Sequence, residues 1–180
     1  MSCVLKFPKL RMLMKSFFES QFSYCPLVWM FCSRTLNNRI NKLHERALRI
    51  LYRDDMSTFK QLLNQDKSVT IHDRNIQLLA VEMYKVKNKI SPCPLSDFVS
   101  IREINYDLRQ TSDFERNKPN TVHYGTETIR ILGPKIWELI PNEIKESSSI
   151  SSFKTKIKDW TTEECPRSLC NIFIHNPGFL

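Results

Sequence analysis

Arg34-Thr35-Leu36-Asn37-Asn38-Arg39-Ile40-Asn41-Lys42-Leu43-His44-Glu45-Arg46-Ala47-Leu48-Arg49-Ile50-Leu51-Tyr52-Arg53 reads as one helix, and the rest of the chain is organised around it. At about 100° per residue, Leu36, Ile40, Leu43, Ala47, Ile50 and Leu51 fall within roughly 60° of one direction, a stripe expected to pack. Arg39, Lys42, Arg46, Arg49 and Arg53 cluster around another direction roughly 100° away. Solvated helix faces usually mix charge signs, and here Glu45 is the one acidic residue in the run. The cationic stripe is therefore the candidate for contacting phosphates.

Upstream, Leu10, Leu13, Met14 and Phe17 recur at helical spacing and predict a helix from near Lys9 to Phe22. Pro26 restricts Cys25 and breaks that pattern. Leu27 to Phe31 is apolar on every side, so burial is expected, with Trp29 and Phe31 as core residues. Ser33 or Thr35 can cap the central helix, and Asp54-Asp55 stops it. Downstream, a short helix is expected over Phe59 to Gln65, then a longer one to about Lys89, opened by the capping-box-like Thr70-Ile71-His72-Asp73. Leu78 to Val86 is apolar almost all round, which belongs at the centre of a domain. Ser91-Pro92-Cys93-Pro94 ends this helix, because each proline disfavours helix at its own position and the one before.

Periodicity is weak from Leu95 to Asn120. Thr121 to Tyr124 and Thr128 to Leu132 flank Gly125-Thr126-Glu127, the spacing of a small β-hairpin. Gly133-Pro134 and then Pro141 each open a short helix, Ser147 to Ser152 reads as a hinge or surface loop, and Phe153, Ile157 and Trp160 mark a last amphipathic helix. The fold class is mainly α: a small helical domain with a short β-hairpin and short helices in the C-terminal half. The expected divisions are a basic helical domain at 1–95, a linker or irregular segment at 96–120, hairpin plus short helices at 121–163, and a Cys-containing tail at 164–180.

Of 27 Lys plus Arg against 19 Asp plus Glu, most of the excess is at one end. Residues 1–60 hold eleven basic and four acidic side chains, which is +7 of the total +8. A polyanion is the charged partner this implies. The six cysteines are scattered rather than arranged as a disulfide framework, as expected of reduced thiols in an intracellular protein of nucleus or cytoplasm that is not secreted. The longest apolar run, Tyr24 to Cys32, is nine residues with Pro26 inside it, far below the ~20 a membrane span needs, and no signal peptide is recognisable.

Tyr52-Arg53-Asp54-Asp55 has the form of the aspartate box that holds metal in reverse transcriptases. Two-metal phosphoryl transfer does use paired carboxylates, but a strand-turn-strand is needed and this box trails a helix, so a helix stop is expected. Cys165, Cys170 and His175 supply three soft ligands where a closed zinc site needs four; Cys3 or another chain would have to complete it. Plain thiols in a tail are the simpler reading, and no cofactor is expected. His44 and His72 sit on predicted helices without a triad-like set and read as surface or capping residues. Three glycines make no phosphate-binding loop, and no small-molecule substrate is expected.

The run Phe17-Phe18-Glu19-Ser20-Gln21-Phe22-Ser23-Tyr24-Cys25-Pro26-Leu27-Val28-Trp29-Met30, then Ser33-Arg34-Thr35-Leu36-Asn37-Asn38 and Leu43-His44-Glu45-Arg46-Ala47-Leu48-Arg49, resembles the region downstream of the polymerase domain in jockey-like non-LTR retrotransposon reverse transcriptases. Collinear matches continue through Thr70-Ile71-His72, Glu82-Met83-Tyr84-Lys85, Tyr124-Gly125-Thr126-Glu127, Gly133-Pro134-Lys135-Ile136-Trp137 and Phe153-Lys154 with Trp160. The resemblance implies a fragment of an RNA-directed DNA polymerase that starts at an internal methionine. It would be the thumb-side portion, without the catalytic aspartates and without activity of its own. Implied partners are the RNA or DNA backbone, or the upstream polymerase domain against which the helices would pack. The family's tail often reads Cys-Pro-Cys, a metal knuckle that Cys165-Pro166-Arg167 breaks.

Overall fold

A computed structural model describes residues 7–31, 34–102, 112–115, 118 and 128–160. The protein is mainly helical. Its elements are α1 (Phe7–Leu13), a π-helical stretch Met14–Glu19, α2 (Ser20–Ser23), α3 (Pro26–Trp29), α4 (Arg34–Tyr52), α5 (Phe59–Asp66), α6 (Ile71–Lys87), α7 (Cys93–Phe98), α8 (Ile129–Leu139), α9 (Asn142–Lys145) and α10 (Ile150–Lys158). Two compact units are formed by residues 1–75 and 76–180, so the division falls within α6.

In the first unit, α4 and α5 bring Leu48, Leu51, Leu62 and Leu63 together, and Leu10, Met14, Tyr52 and Phe59 pack against them. Each fully buried leucine contributes about 1.5–3 kcal/mol relative to exposure. Local chemistry sets the ends of these helices. Thr58 and Gln61 form a reciprocal capping box at α5, with Gln61 Oε1 accepting from Thr58 N at 2.8 Å. Thr70 Oγ1 accepts from Asp73 N at 3.0 Å at the start of α6. After α4, Arg53 turns left-handed at φ 53°, and Asp54 closes the turn by accepting from Ser57 Oγ at 2.6 Å and Met56 N at 3.0 Å.

The 27–31 segment departs from expectation. Met30 is buried, Leu27, Trp29 and Phe31 are half-buried, and Val28 is 79% exposed. A four-residue helix has two sides and one core to face, so a run that is apolar all round leaves one side out. Cys25, at φ 44°, makes the turn into α3.

In the second unit, α6 contributes Leu79, Met83, Tyr84 and Val86, α8 contributes Leu132, Ile136 and Trp137, and α10 contributes Phe153 and Ile157 to the buried set. Tyr84 stacks on Phe153 at 4.4 Å, and Phe153 lies 6.0 Å from Trp137. Two buried side chains there find backbone acceptors: Tyr84 Oη donates to the Ser147 carbonyl at 2.7 Å, and Gln77 Nε2 donates to the carbonyls of Lys158 and Trp160. Val99 and Phe114, from the span expected to be a linker, are also buried.

The expected β-hairpin is corrected. Its second arm, Thr128 to Leu132, has Thr128 at the N-cap of α8 and the other four residues in the helix. No strand forms among the described residues, where Ile101 and Phe114 make one isolated antiparallel bridge; residues 121–127 lie outside them. The β-branched pattern misled because Ile131, Leu132, Ile136 and Trp137 are all buried, and packing outweighs the small intrinsic preference. Pro134 lies inside α8 rather than at its start, with no N–H to donate to the carbonyl four residues back. Gly133 precedes it for a packing reason: a Cβ there would come 2.5 Å from Met83 Sδ. The serine run is also shorter as a loop than expected, since Ser149 caps α10 by accepting from Ser152 N at 3.2 Å. Conversely, the Pro92–Pro94 break after α6 starts a further helix, α7, with Pro92 at its N-cap.

Candidate nucleic-acid-binding face and adjoining groove

Helix α4 is where expected, but it is rolled. Its core-facing residues are Asn37, His44, Leu48 and Leu51, all under 9% exposed, a direction roughly 80° from the centre of the apolar stripe. Leu36, Leu43 and Ile50 of that stripe are instead 48%, 50% and 62% exposed, and Ile40 and Ala47 are half-buried. The roll carries the cationic stripe almost diametrically away from the core.

Arg39, Lys42, Arg46 and Arg53 are exposed, and their side chains have no hydrogen-bond or ion-pair partner among the described residues. Arg49 differs from these four. Its guanidinium pairs with Glu45 Oε1 at 2.6 Å and donates to the Asp55 carbonyl at 2.6 Å, closing the C-terminal end of α4. It therefore has its own structural task, and the outward set is four cations, not five.

The counter-charges are already committed. Asp66 is held by Arg11 at 3.1 Å and accepts from Tyr52 Oη at 2.8 Å, while Glu19 pairs with Arg74 at 3.1 Å. Burial, then the bond to Asp66, pushes the Tyr52 hydroxyl up to about 12. The bond from the Ser57 hydroxyl holds the Asp54 carboxyl below its ordinary value. The Tyr52-to-Asp55 box thus serves as a hydrogen-bond donor and a turn, and Asp54 is occupied by its own loop. Among the described residues no group of three His, Cys, Asp or Glu gathers as metal ligands. Cys165, Cys170, His175 and Cys3 lie outside those residues.

His44 is a correction. Expected as a surface or capping residue, it is 1% exposed between Phe18, stacked at 5.9 Å, and Phe59, edge-on at 5.5 Å. Burial, helped by nearby Arg74 and opposed by Glu19 and Asp66, lowers its pKa to about 4. Nδ1 is buried without a hydrogen-bond partner. His72 is half-buried in the first turn of α6.

Sequence reasoning missed a second feature beside the cations. An open groove of about 350 Å³ runs between the first helical segment and α4, walled by Leu10, Leu13, Met14, Phe17, Ala47 and Ile50 among others, all apolar. The two halves of this wall were each visible as helical periodicity. Their pairing was not, because it depends on the roll of α4 and on the π-helical stretch that carries Met14 and Phe17. Among the described residues no helix is long and apolar enough to cross a membrane. Compared with known proteins, the chain matches no family model, no curated protein and no solved structure.

Proposed function

We propose that this chain is a non-catalytic portion of a retrotransposon RNA-directed DNA polymerase, from downstream of the catalytic domain, that contacts template or primer backbone inside the cell, in nucleus or cytoplasm. It uses no cofactor and no small-molecule substrate. The observation that carries this reading is the outward set Arg39, Lys42, Arg46 and Arg53, three cations on one face of α4 and a fourth in the turn after it, with no partner among the described residues. Phosphates supply the missing negative charge, and the origin rests on the collinear resemblance.

Binding to RNA and to duplex DNA across a salt series tests it. On duplex DNA each neutralised phosphate adds about 0.9 to the slope of log affinity against log salt, so four contacts give about 3.6. Replacing the four residues together by Gln removes that part of the slope. Equal affinity and slope before and after replacement would sink the proposal.

A second reading is favoured by a different observation. Leu36, Leu43 and Ile50 leave α4 with an apolar strip in water, as expected of a structural module that packs on another protein domain. Co-expression with an upstream polymerase segment, which would cover Leu43 and Ile50 against solvent labelling, tests that reading.

A further inference from the structure

We infer that the groove between the first helical segment and α4 is a docking site for an acidic amphipathic helix of another protein. The inference rests on the second reading above and adds the place and the chemistry of the partner. The apolar wall of the groove asks for apolar side chains, and its open side suits a helix that lays one face into it with anchors at i, i+3 or i+4, and i+7. Phe17 is 71% exposed and Ile50 62%, so both have most of their surface left to bury.

Charge selects among helices. Ala47 and Ile50 line the groove; Arg46 is next to Ala47 on α4, and Arg53 stands in the turn that follows the helix, three residues after Ile50. These arginines have no partner among the described residues, and neither does Lys15, within the π-helical wall. The acidic side chains of the described part of this unit do not answer them: Glu19, Glu45 and Asp66 are in ion pairs, and Asp54 and Asp73 are bound at turn and cap. Of the six, only the Asp55 side chain is uncommitted. A second copy of this chain brings the same positive excess and is repelled. A nucleic acid satisfies the arginines but leaves the apolar wall wet. An apolar-faced helix edged with Glu or Asp satisfies both.

Three labelled peptides titrated into the full chain by fluorescence anisotropy test this: an acidic amphipathic helix, the same helix with Gln for each Glu, and the acidic composition scrambled to destroy its apolar face. The first is expected to bind about tenfold or more tighter than either control, the scale of one lost anchor or charge set. Phe17→Ser and Ala47→Trp, one removing a wall and one filling the groove, should each cost about tenfold. Phe17 is exposed, so its replacement leaves the fold intact, as circular dichroism would verify. Equal binding of the Gln peptide overturns the acidic partner while leaving the docking reading standing. Equal binding of the scrambled peptide, or loss to competing RNA with no effect of Phe17→Ser, overturns the groove and leaves a phosphate-type charge interaction. Absence of binding by all three peptides overturns inference and docking reading together.

Discussion

Phe17 and Trp137 are both large aromatic residues on helices, and their surroundings are opposite. Trp137 is 1% exposed, its ring 5.8 Å from Phe114 and 6.0 Å from Phe153, and its Nε1 donates to Asp113 at 2.6 Å. The Lys87 and Lys145 ammonium groups lie 5.5 and 5.8 Å from the ring. Phe17 is 71% exposed on a groove wall. The contrast extends to the units that hold them. Ten of the fourteen large apolar side chains that stand exposed among the described residues lie between Phe7 and Met56, and only four lie beyond residue 75. In its described part the second unit exposes few large apolar side chains, whereas the first has a small leucine core and an apolar exterior beside unpaired cations. That asymmetry is what a surface shaped for a partner looks like, and it is why both functional readings fall on α4.

The strongest way to break the comparison is Trp137→Ala. Loss of a fully buried indole should destabilise the second unit by about 3–5 kcal/mol, read as faster amide exchange in α8 and α10. Phe17→Ser should leave exchange in the first unit nearly unchanged; equal effects would erase the distinction.

Acid should act on the first unit through His44. Its folded pKa, about 4, lies below the unfolded 6.5, so between these values the unfolded chain binds more protons than the folded one. Stability is complete above about pH 6.5 and falls by up to about 3 kcal/mol as the pH drops towards 4. Exchange protection in α4 and α5 followed against pH checks this, and His44→Phe should flatten the dependence.

A smaller effect sharpens the division within the cationic stripe. Arg49→Gln loses the Glu45 pair and the bond to the Asp55 carbonyl, a cost of about 1 kcal/mol in α4 stability. Arg46→Gln should change stability by less than about 0.5 kcal/mol and instead lower the salt slope of duplex binding by about 0.9. The reverse pattern would reassign both residues.

Helices were legible wherever periodicity was long. The limits of α4 and the Thr70 cap of α6 could be read directly from residue type and spacing. The roll of α4 was not legible, because Asn37 and His44 are polar by type yet buried, and a wheel drawn from apolar letters turns away from them. Burying His44 requires two aromatic rings from distant segments, Phe18 and Phe59, which no local pattern announces. The strand-like Thr128 to Leu132 failed for a related reason: contacts with α6 determine its conformation, and Gly133 against Met83 is intelligible only once both helices are seen. The cations themselves were readable, but the separation of Arg49 from its neighbours required knowing where the chain turns after Arg53.

In the π-helical stretch Met14–Glu19, Phe17 and Phe18 both line the groove, and Phe18 also stacks on His44. A π-bulge amounts to one residue more than an α-helix needs over the same rise. In genetic language, loss of a single codon from this stretch is an in-frame change that barely alters composition or charge. Because the bulge already absorbs that residue, the helix would close into regular α-register with its upstream half facing as before, keeping Leu10 and Leu13 on the groove wall. The smallest possible deletion would thus erase the bulge and leave the upstream wall of the groove.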